Sequence, residues 1–342
     1  MIKVGIIGFG FMGNMHAQAY HALADVHITA IADIATQHAQ EKVAQLGFEI
    51  PVFTDLTTLL AESDVDIIDI CGPTDQHLEL ATQAIQAGKH LFIEKPLALT
   101  LEDCQAIQSA TDAAGVFAQV GHCIRFWPEY MKLKQIVDSG THGPLKSLSL
   151  TRRSPRPGGG NPLHWVNQVE RCGGAVVDLH VHDTDFINHL LGMPQSVYSR
   201  TTEGSSGPDH IFSHYHYEHT TVQAEGGWDY PGNYGFSMSF EAIFEDACIQ
   251  YNSASNTPLL LTTRGCAPVA IELDVTDTPT EATHSEGNIS SLGGYFNEIN
   301  YFINCVKNKQ APEIATLKQA SNSIRILLAE LKSAKNRQNV SI

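Results

Sequence analysis

The 342-residue chain is short of several things that would each have pointed to a class of protein. No apolar run approaches the roughly 20 residues needed to cross a bilayer, so no membrane-spanning helix is expected. Basic residues are scarce: 21 Lys and Arg stand against 37 Asp and Glu, a formal net charge of −16. That balance repels phosphate backbones and anionic lipid surfaces, which argues against nucleic acid or a membrane as partner. An anionic cofactor stays compatible, because a helix N-terminus supplies positive potential locally whatever the global charge. The seven cysteines, at 71, 104, 123, 172, 248, 266 and 305, form no C-x-x-C, so neither a zinc ribbon nor a redox dithiol is indicated. Odd in number and mostly in apolar surroundings, they read as reduced thiols, and the cytoplasm is the expected compartment. The first residues run straight into a strand pattern without a basic and then apolar leader. Internal repeats and low-complexity tracts are missing too.

What is there is strongly patterned. A chain of 37.3 kDa with 43% hydrophobic residues fits two domains better than one. Up to about residue 123, short apolar runs alternate with amphipathic segments. Strands are expected at Lys3–Gly8, His27–Asp33, Asp66–Cys71, His90–Glu94 and Phe117–Gly121, and helices at Met12–Leu23, Gln37–Gly47, Gln76–Ala87 and Leu101–Ala114. Near-continuous apolar strands between helices predict an α/β N-terminal domain over residues 1–123, a doubly wound parallel sheet of the Rossmann kind. The style then changes. A helix at Glu129–Ser139, a strand at Leu145–Arg153 and a Pro- and Gly-rich loop from 153 to 162 lead to a helix at Gly174–Leu191. Alternating strand patterns run from Ser196 to about Ile271, and helices at Tyr295–Lys307 and Leu317–Lys335 follow. Elements grouped in blocks predict an α+β C-terminal domain over residues 124–342 with a large open, mainly antiparallel sheet.

Three motifs carry chemistry. Gly8, Gly10 and Gly13 follow a strand and open a helix as G-x-G-x-x-G: one glycine for the turn, one for close approach to a pyrophosphate, one for helix–strand packing. Asp33 ends the second strand, where a carboxylate bonds ribose hydroxyls and repels a 2′-phosphate. No Arg or Lys stands between Asp33 and Lys42, so NAD is expected over NADP. Glu94-Lys95-Pro96 closes a predicted parallel strand at its C-terminal end, where open α/β sheets bind ligands. Proline restricts Lys95 to an extended conformation, and Glu94 is placed to orient the ammonium or to meet a ribose. A solvated surface lysine is the plain alternative. Asp178 and His182, four apart in a helical pattern, share a face with Asp185 and His189. A histidine there suits general base catalysis at neutral pH; a solvated helix edge and half of a metal site are the other readings. His210, His214 and His216 share one strand face, and with His219 they read as exposed sheet histidines, so no metal is expected.

In this order and spacing the three motifs resemble the Gfo/Idh/MocA oxidoreductases, the family of glucose–fructose oxidoreductase and inositol dehydrogenase. E-K-P is that family's most recurrent signature. Its catalytic helix follows a G-G-G turn, for which this chain has Cys172-Gly173-Gly174. The resemblance extends to Cys71–His77, to Gly121–Pro128, to Trp165, and to Trp228–Pro231 with Phe240–Ile249. It implies cofactor contacts from Gly8 through Gly13 (Phe9, Phe11 and Met12 included), and from Asp33, Pro73, Thr74, His77, Glu94, Lys95, Arg125 and Trp165. It further implies an NAD-dependent dehydrogenase of sugar or polyol alcohols. His182 would take the hydroxyl proton, Lys95 would stabilise the alkoxide, and Asp178 would hold the substrate. A homodimer or homotetramer paired through an apolar open face of the C-terminal sheet is expected. Two other readings belong to the same scaffold: a redox-neutral glycoside hydrolase using NAD, and a non-catalytic NAD-binding regulator. Arg125, Arg152 and Arg153 either read an anionic substrate group or pair structurally.

Overall fold

The apolar runs of the N-terminal half pair side by side. Val4, Ile6, Ile67, Ile68, Ile70, Leu91, Phe92 and Ile93 are all fully buried, as strands must be when helices cover a parallel sheet. The computed structural model describes residues 1–161, 163–204, 207–273 and 292–342. Its first sheet is built from β1 (Ile2–Ile7), β2 (Val26–Ala32), β3 (Val52–Phe53), β4 (Ile67–Ile70), β5 (His90–Glu94) and β6 (Ala118–Gly121), all parallel, in the order β3-β2-β1-β4-β5-β6. Strand order reverses between β1 and β4, and open sheets bind ligands beyond the strand ends at such a point. Between the strands lie α1 (Phe11–His21), α2 (Thr36–Gln45), α3 (Leu56–Glu62), α4 (His77–Gln86) and α5 (Leu101–Ala114). Two-residue β3 and seven-residue α3 are not anticipated by the sequence patterns; neither is long enough to show a period.

The second sheet contains β7 (Leu145–Pro155), β8 (Ser196–Gly204), β9 (Gly207–His216), β10 (Thr221–Tyr230), β11 (Ser237–Phe244), β12 (Ala247–Asn252), β13 (Leu259–Thr263), β14 (Val269–Ala270) and β15 (Val340–Ser341). Their order is β14-β13-β12-β11-β7-β10-β9-β8-β15; β7 and β10 pair in parallel and the other described pairs are antiparallel. One face buries Leu148, Leu150, Ile211, Val222, Phe240 and Ile249. Against it pack α6 (Pro128–Ser139) and, after the short α7 (Val169–Cys172), α8 (Val181–Leu191). Tyr130 of α6 meets Phe186 of α8, Phe240 and Tyr251 edge-on at 4.8, 5.0 and 5.6 Å.

The other face departs from expectation. Tyr198, Phe212 and Ile243 are 37%, 48% and 40% exposed there. Their neighbours are polar: Gln223 donates to Ser149, Thr151 bonds Ser239, and Gln250 donates to Glu241. It is a mixed surface, not an apolar patch.

The last helices are α9 (Gly293–Asn308) and α10 (Leu317–Asn336). Two compact units result: Met1–Phe126 with the described part of 277–321, and 127–273 with 322–342. The chain thus returns to its first unit after building most of its second, which a division at residue 123 does not capture. The expected single helix over Gly174–Leu191 is a five-residue π-helical segment, Val176–His180, running into α8. Among the described residues no helix is long and apolar enough to cross a membrane.

Candidate functional site

In the first unit, the residues singled out by motif gather where the parallel strands end. Gly8 follows β1 with φ +88°, and a Cβ there would sit 2.8 Å from the backbone of Cys71 and Gly72. A Cβ on Gly13 would lie 2.1 Å from the Gly8 carbonyl oxygen, so α1 can approach β1 this closely only with glycine at both positions. Gly10 differs: nothing comes within 4 Å of its Cβ position, and no side chain caps α1. Gly10 thus leaves the N-terminus of α1 uncrowded at its own position, as close approach of a pyrophosphate requires. Asp33, just past β2, accepts from the Phe9 N–H through Oδ2 and from the Ala35 N–H through Oδ1, both at 2.7 Å. The cradle and the fixed carboxylate fit a dinucleotide. Phe9 offers it only backbone, since its ring is buried, whereas Phe11 and Met12 are half-buried. Ile34, the residue after Asp33, is 94% exposed. The sequence reading passed over it, although an aliphatic side chain following the acidic residue was the available signal.

After β4, Pro73 is half-buried and Thr74 buried in a 3₁₀ turn that leads to His77. His77 is turned inward. Its Nδ1 lies 3.0 Å from the Pro96 carbonyl and 3.3 Å from that of Leu97, and its Nε2 3.1 Å from that of Gly72. Burial lowers its pKa, against the pull of the carbonyl oxygens at both ring nitrogens. His77 therefore ties the loop after β4 to the loop after β5, and its polar atoms face backbone, not a ligand.

Lys95 leaves β5 half-buried. Glu94 also points inward: Oε2 accepts the Lys95 N–H at 3.0 Å, and Oε1 lies 3.1 Å from His16 Nε2. His16 Nδ1 in turn is 2.8 Å from Asp69 Oδ2. Burial alone would raise the Glu94 pKa, but His16 and Lys95 more than offset it and the carboxyl stays below its ordinary range. Burial likewise opposes the charged form of His16, yet Asp69 and Cys71 hold its pKa well above normal. Arg125, expected to face a ligand, is buried in the 3₁₀ turn Cys123–Phe126 and donates to Gln319 at 2.5 Å.

In the second unit, Trp165 sits in a 3₁₀ turn and packs, half-buried, on Val166, Cys172, Ala175 and Trp228. Asp178 lies in the π-helical segment and His182 in the first turn of α8, both half-buried. Between and beyond them, His180, Asp183 and Thr184 are wholly buried. Arg152 grips Asp183 with two bonds, Nε to Oδ2 at 3.0 Å and Nη2 to Oδ1 at 2.9 Å. Glu330 of α10 is bonded by His180 at 3.1 Å, Tyr215 at 2.6 Å and Thr184 at 3.2 Å. The inner side of the segment is thus pinned while Asp178 and His182 stay accessible. Asp185 does not extend their stripe: it is buried and accepts from Ser323 at 2.8 Å. His180, Asp183 and Glu330 escaped the sequence reading, because polar residues in a helical pattern default to the solvent side.

Both remaining arginines pair within the unit, Arg152 with Asp183 and Arg153 with Glu225 at 2.7 Å. Of the strand histidines, His214 and His216 are exposed as expected. His210 is buried between Asp229 at 2.8 Å and Glu225 at 3.2 Å, because the β10 carboxylates reach across the ladder to it.

Comparison with known proteins adds to this geometry. The description "Oxidoreductase family, NAD-binding Rossmann fold" matches residues 2–122, and "GFO/IDH/MocA C-terminal domain" matches residues 130–250. Myo-inositol 2-dehydrogenase of Thermotoga maritima is 32% identical over 191 residues, 56% of this chain and 55% of that protein. Levoglucosan dehydrogenase of Pseudarthrobacter phenanthrenivorans is 31% identical over 201 residues, 56% of this chain and 51% of that one. The matched stretch thus spans about half the length of these relatives. A solved levoglucosan dehydrogenase in complex with NADH and levoglucosan superposes with a TM-score of 0.85 over 100% of this chain and 99% of its own, at 21% identity. At that identity the likeness shows the fold alone. With the N-terminal and C-terminal descriptions of one family matching in order along the same chain, the protein belongs to the Gfo/Idh/MocA oxidoreductase family.

Proposed function

We propose that the chain is an NAD-dependent dehydrogenase acting on a sugar- or polyol-type alcohol. The observation that carries this reading is the clustering of the glycine cradle, Asp33 and half-buried Lys95 at the C-terminal ends of one parallel sheet. The names of the relatives, inositol and levoglucosan dehydrogenases, support the substrate class. Gly8–Gly13 would hold the pyrophosphate and Asp33 the adenosine ribose, and the bound cofactor would supply the hydride acceptor. His182 takes the proton of the reacting hydroxyl on an imidazole nitrogen. The Lys95 ammonium donates a hydrogen bond to the oxygen as negative charge develops on it. Asp178 accepts a hydrogen bond from a second substrate hydroxyl. The chain's share of the catalysis is placement and electrostatics.

Incubation of the purified protein with NAD and a panel of sugars and polyols should give NADH. Lys95→Ala and His182→Ala should each cut turnover by roughly 10²–10⁴-fold while NAD still binds. Near-normal turnover in a folded Lys95→Ala variant rejects the mechanism, and aglycone release without net NADH would favour the hydrolase alternative. NAD preference rests on Asp33; Asp33→Asn should relax it, and equal affinities for NAD and NADP in the unaltered protein would reject it. Self-association belongs to the same reading, through the mixed surface around Tyr198, Phe212 and Ile243. Light scattering should give a dimer or tetramer mass, and a monomer at micromolar concentration rejects that part.

A further inference from the structure

Glu298 is a buried acid that the proposed chemistry leaves unused. It sits on α9 with no exposed surface, and among the described residues neither carboxyl oxygen has a hydrogen-bond partner. The groups around it come from neighbouring elements: His16 and Tyr20 from α1, Asp69 from β4, Glu94 from β5 and Gln119 from β6, while Cys71 just past β4 and Tyr295 of α9 meet His16 itself. The ligating atoms of His16, Glu94 and Glu298 lie within 4.8 Å of one another. Three buried carboxyl groups thus crowd round one imidazole, which is bonded to Asp69 through Nδ1 and faces Glu94 through Nε2. A buried carboxylate with no donor is strongly disfavoured, and the remedy open to it is to keep its proton. A protonated acid has one O–H to give. Two buried acceptors near it lack an aligned donor: Glu94 Oε1, which His16 Nε2 approaches at 3.1 Å, and Gln119 Oε1, of which the carboxylate oxygen is the stronger acceptor.

We propose that Glu298 is a protonated, uncharged acid that donates a hydrogen bond to Glu94 and so serves as a positioning residue for Lys95. The path is short: Glu298 fixes Oε1 of Glu94, and Oε2 of Glu94 accepts the backbone N–H of Lys95 at 3.0 Å. Burial, then the charges of Glu94 and Asp69, push the Glu298 pKa well above its ordinary value, in keeping with the geometry. The positioning half rests on the dehydrogenase reading; the protonation half stands without it.

The test uses the full chain as wild type, Glu298→Gln and Glu298→Leu. Infrared spectroscopy at neutral pH should show the carbonyl stretch of a protonated carboxylic acid in the wild type, and Glu298→Gln should remove it. Glu298→Gln, whose amide still donates to Glu94, should keep kcat within about twofold, whereas Glu298→Leu should lower it about tenfold while NAD still binds. The melting temperature of Glu298→Gln relative to wild type should climb as pH rises above about 4.5, because only the wild type must hold that proton. No acid band, a band unaffected by Glu298→Gln, or one tightly bound metal ion per chain by elemental analysis would overturn the protonation. Unchanged kcat in a folded Glu298→Leu variant would overturn the positioning. A wild type that binds no NAD would sink the dehydrogenase reading and the positioning with it, and the infrared band would still decide the protonation.

Discussion

Two buried polar clusters lie behind the candidate catalytic residues, one in each unit, and they treat carboxyl groups in opposite ways. Behind Asp178 and His182 every carboxylate oxygen has a donor: Asp183 takes both bonds from Arg152, and Glu330 is bonded by His180, Tyr215 and Thr184. Behind Lys95, Asp69 and Glu94 pair with His16, and among the described residues Glu298 beside them is left without a donor. The first arrangement meets the cost of burial with hydrogen bonds, and the second with a proton. Their pH behaviour should therefore run in opposite directions. Burial would raise the Glu330 pKa, but its donors hold it below the ordinary value, so its contribution is present above pH 4.5 and is lost as pH falls through the lowered value. Glu298, with its pKa raised, contributes fully below pH 4.5 and loses that contribution as pH rises toward the folded-state value.

The comparison breaks hardest at the Arg152–Asp183 pair, which is 2% and 0% exposed. Asp183→Ala leaves a guanidinium buried without its partner, and chemical denaturation should register a loss of about 3–5 kcal/mol. A smaller effect follows at Glu330. Glu330→Gln keeps the shape but loses charge-assisted bonds, at about 1.5–3 kcal/mol near neutrality. As pH rises, Glu330→Gln should melt progressively below wild type and Glu298→Gln should gain on it, and both differences should shrink as pH falls. Parallel pH profiles for the two variants would show that the clusters do not differ in kind. The smallest effect belongs to the outer sheet face. His214→Ala should change stability by no more than about 0.5 kcal/mol, since the ring is exposed. A larger loss there would mean that the face is covered in the assembled protein.

The same contrast marks what was legible in the residues. The parallel sheet was readable because β1, β4 and β5 are apolar throughout and the G-x-G-x-x-G turn follows β1. Lys95 was readable because Glu94-Lys95-Pro96 ends a strand. The supporting shell was not. Glu298 and Glu330 occupy amphipathic helices in which a glutamate ordinarily marks the wet side, yet both are fully buried. His180 and His182 are two residues apart in one pattern, and their contacts, not the pattern, decide which faces the core: His180 is buried against Tyr215 and Glu330. His77, Glu94 and Arg125 show the same limit. The sequence places them near the strand ends, but their partners, backbone carbonyls for His77, His16 for Glu94 and Gln319 for Arg125, are distant in the chain or backbone and leave no pattern to read.

The π-helical turn has a consequence for redesign. A turn closed by i→i+5 bonds holds one more residue than an α-helical turn, so it behaves as a single-residue insertion absorbed without breaking the helix. Val176–His180 places Asp178 before α8 begins and His182 after it. Removing one residue from this stretch would restore a regular helix and turn everything upstream by about 100°, while Arg152 and Glu330 held α8 in place. Asp178 would then point elsewhere and His182 would not move. The spacing between the two groups that the proposed mechanism assigns to substrate binding and proton removal is therefore adjustable by one deletion, independently of the cofactor-binding half of the chain.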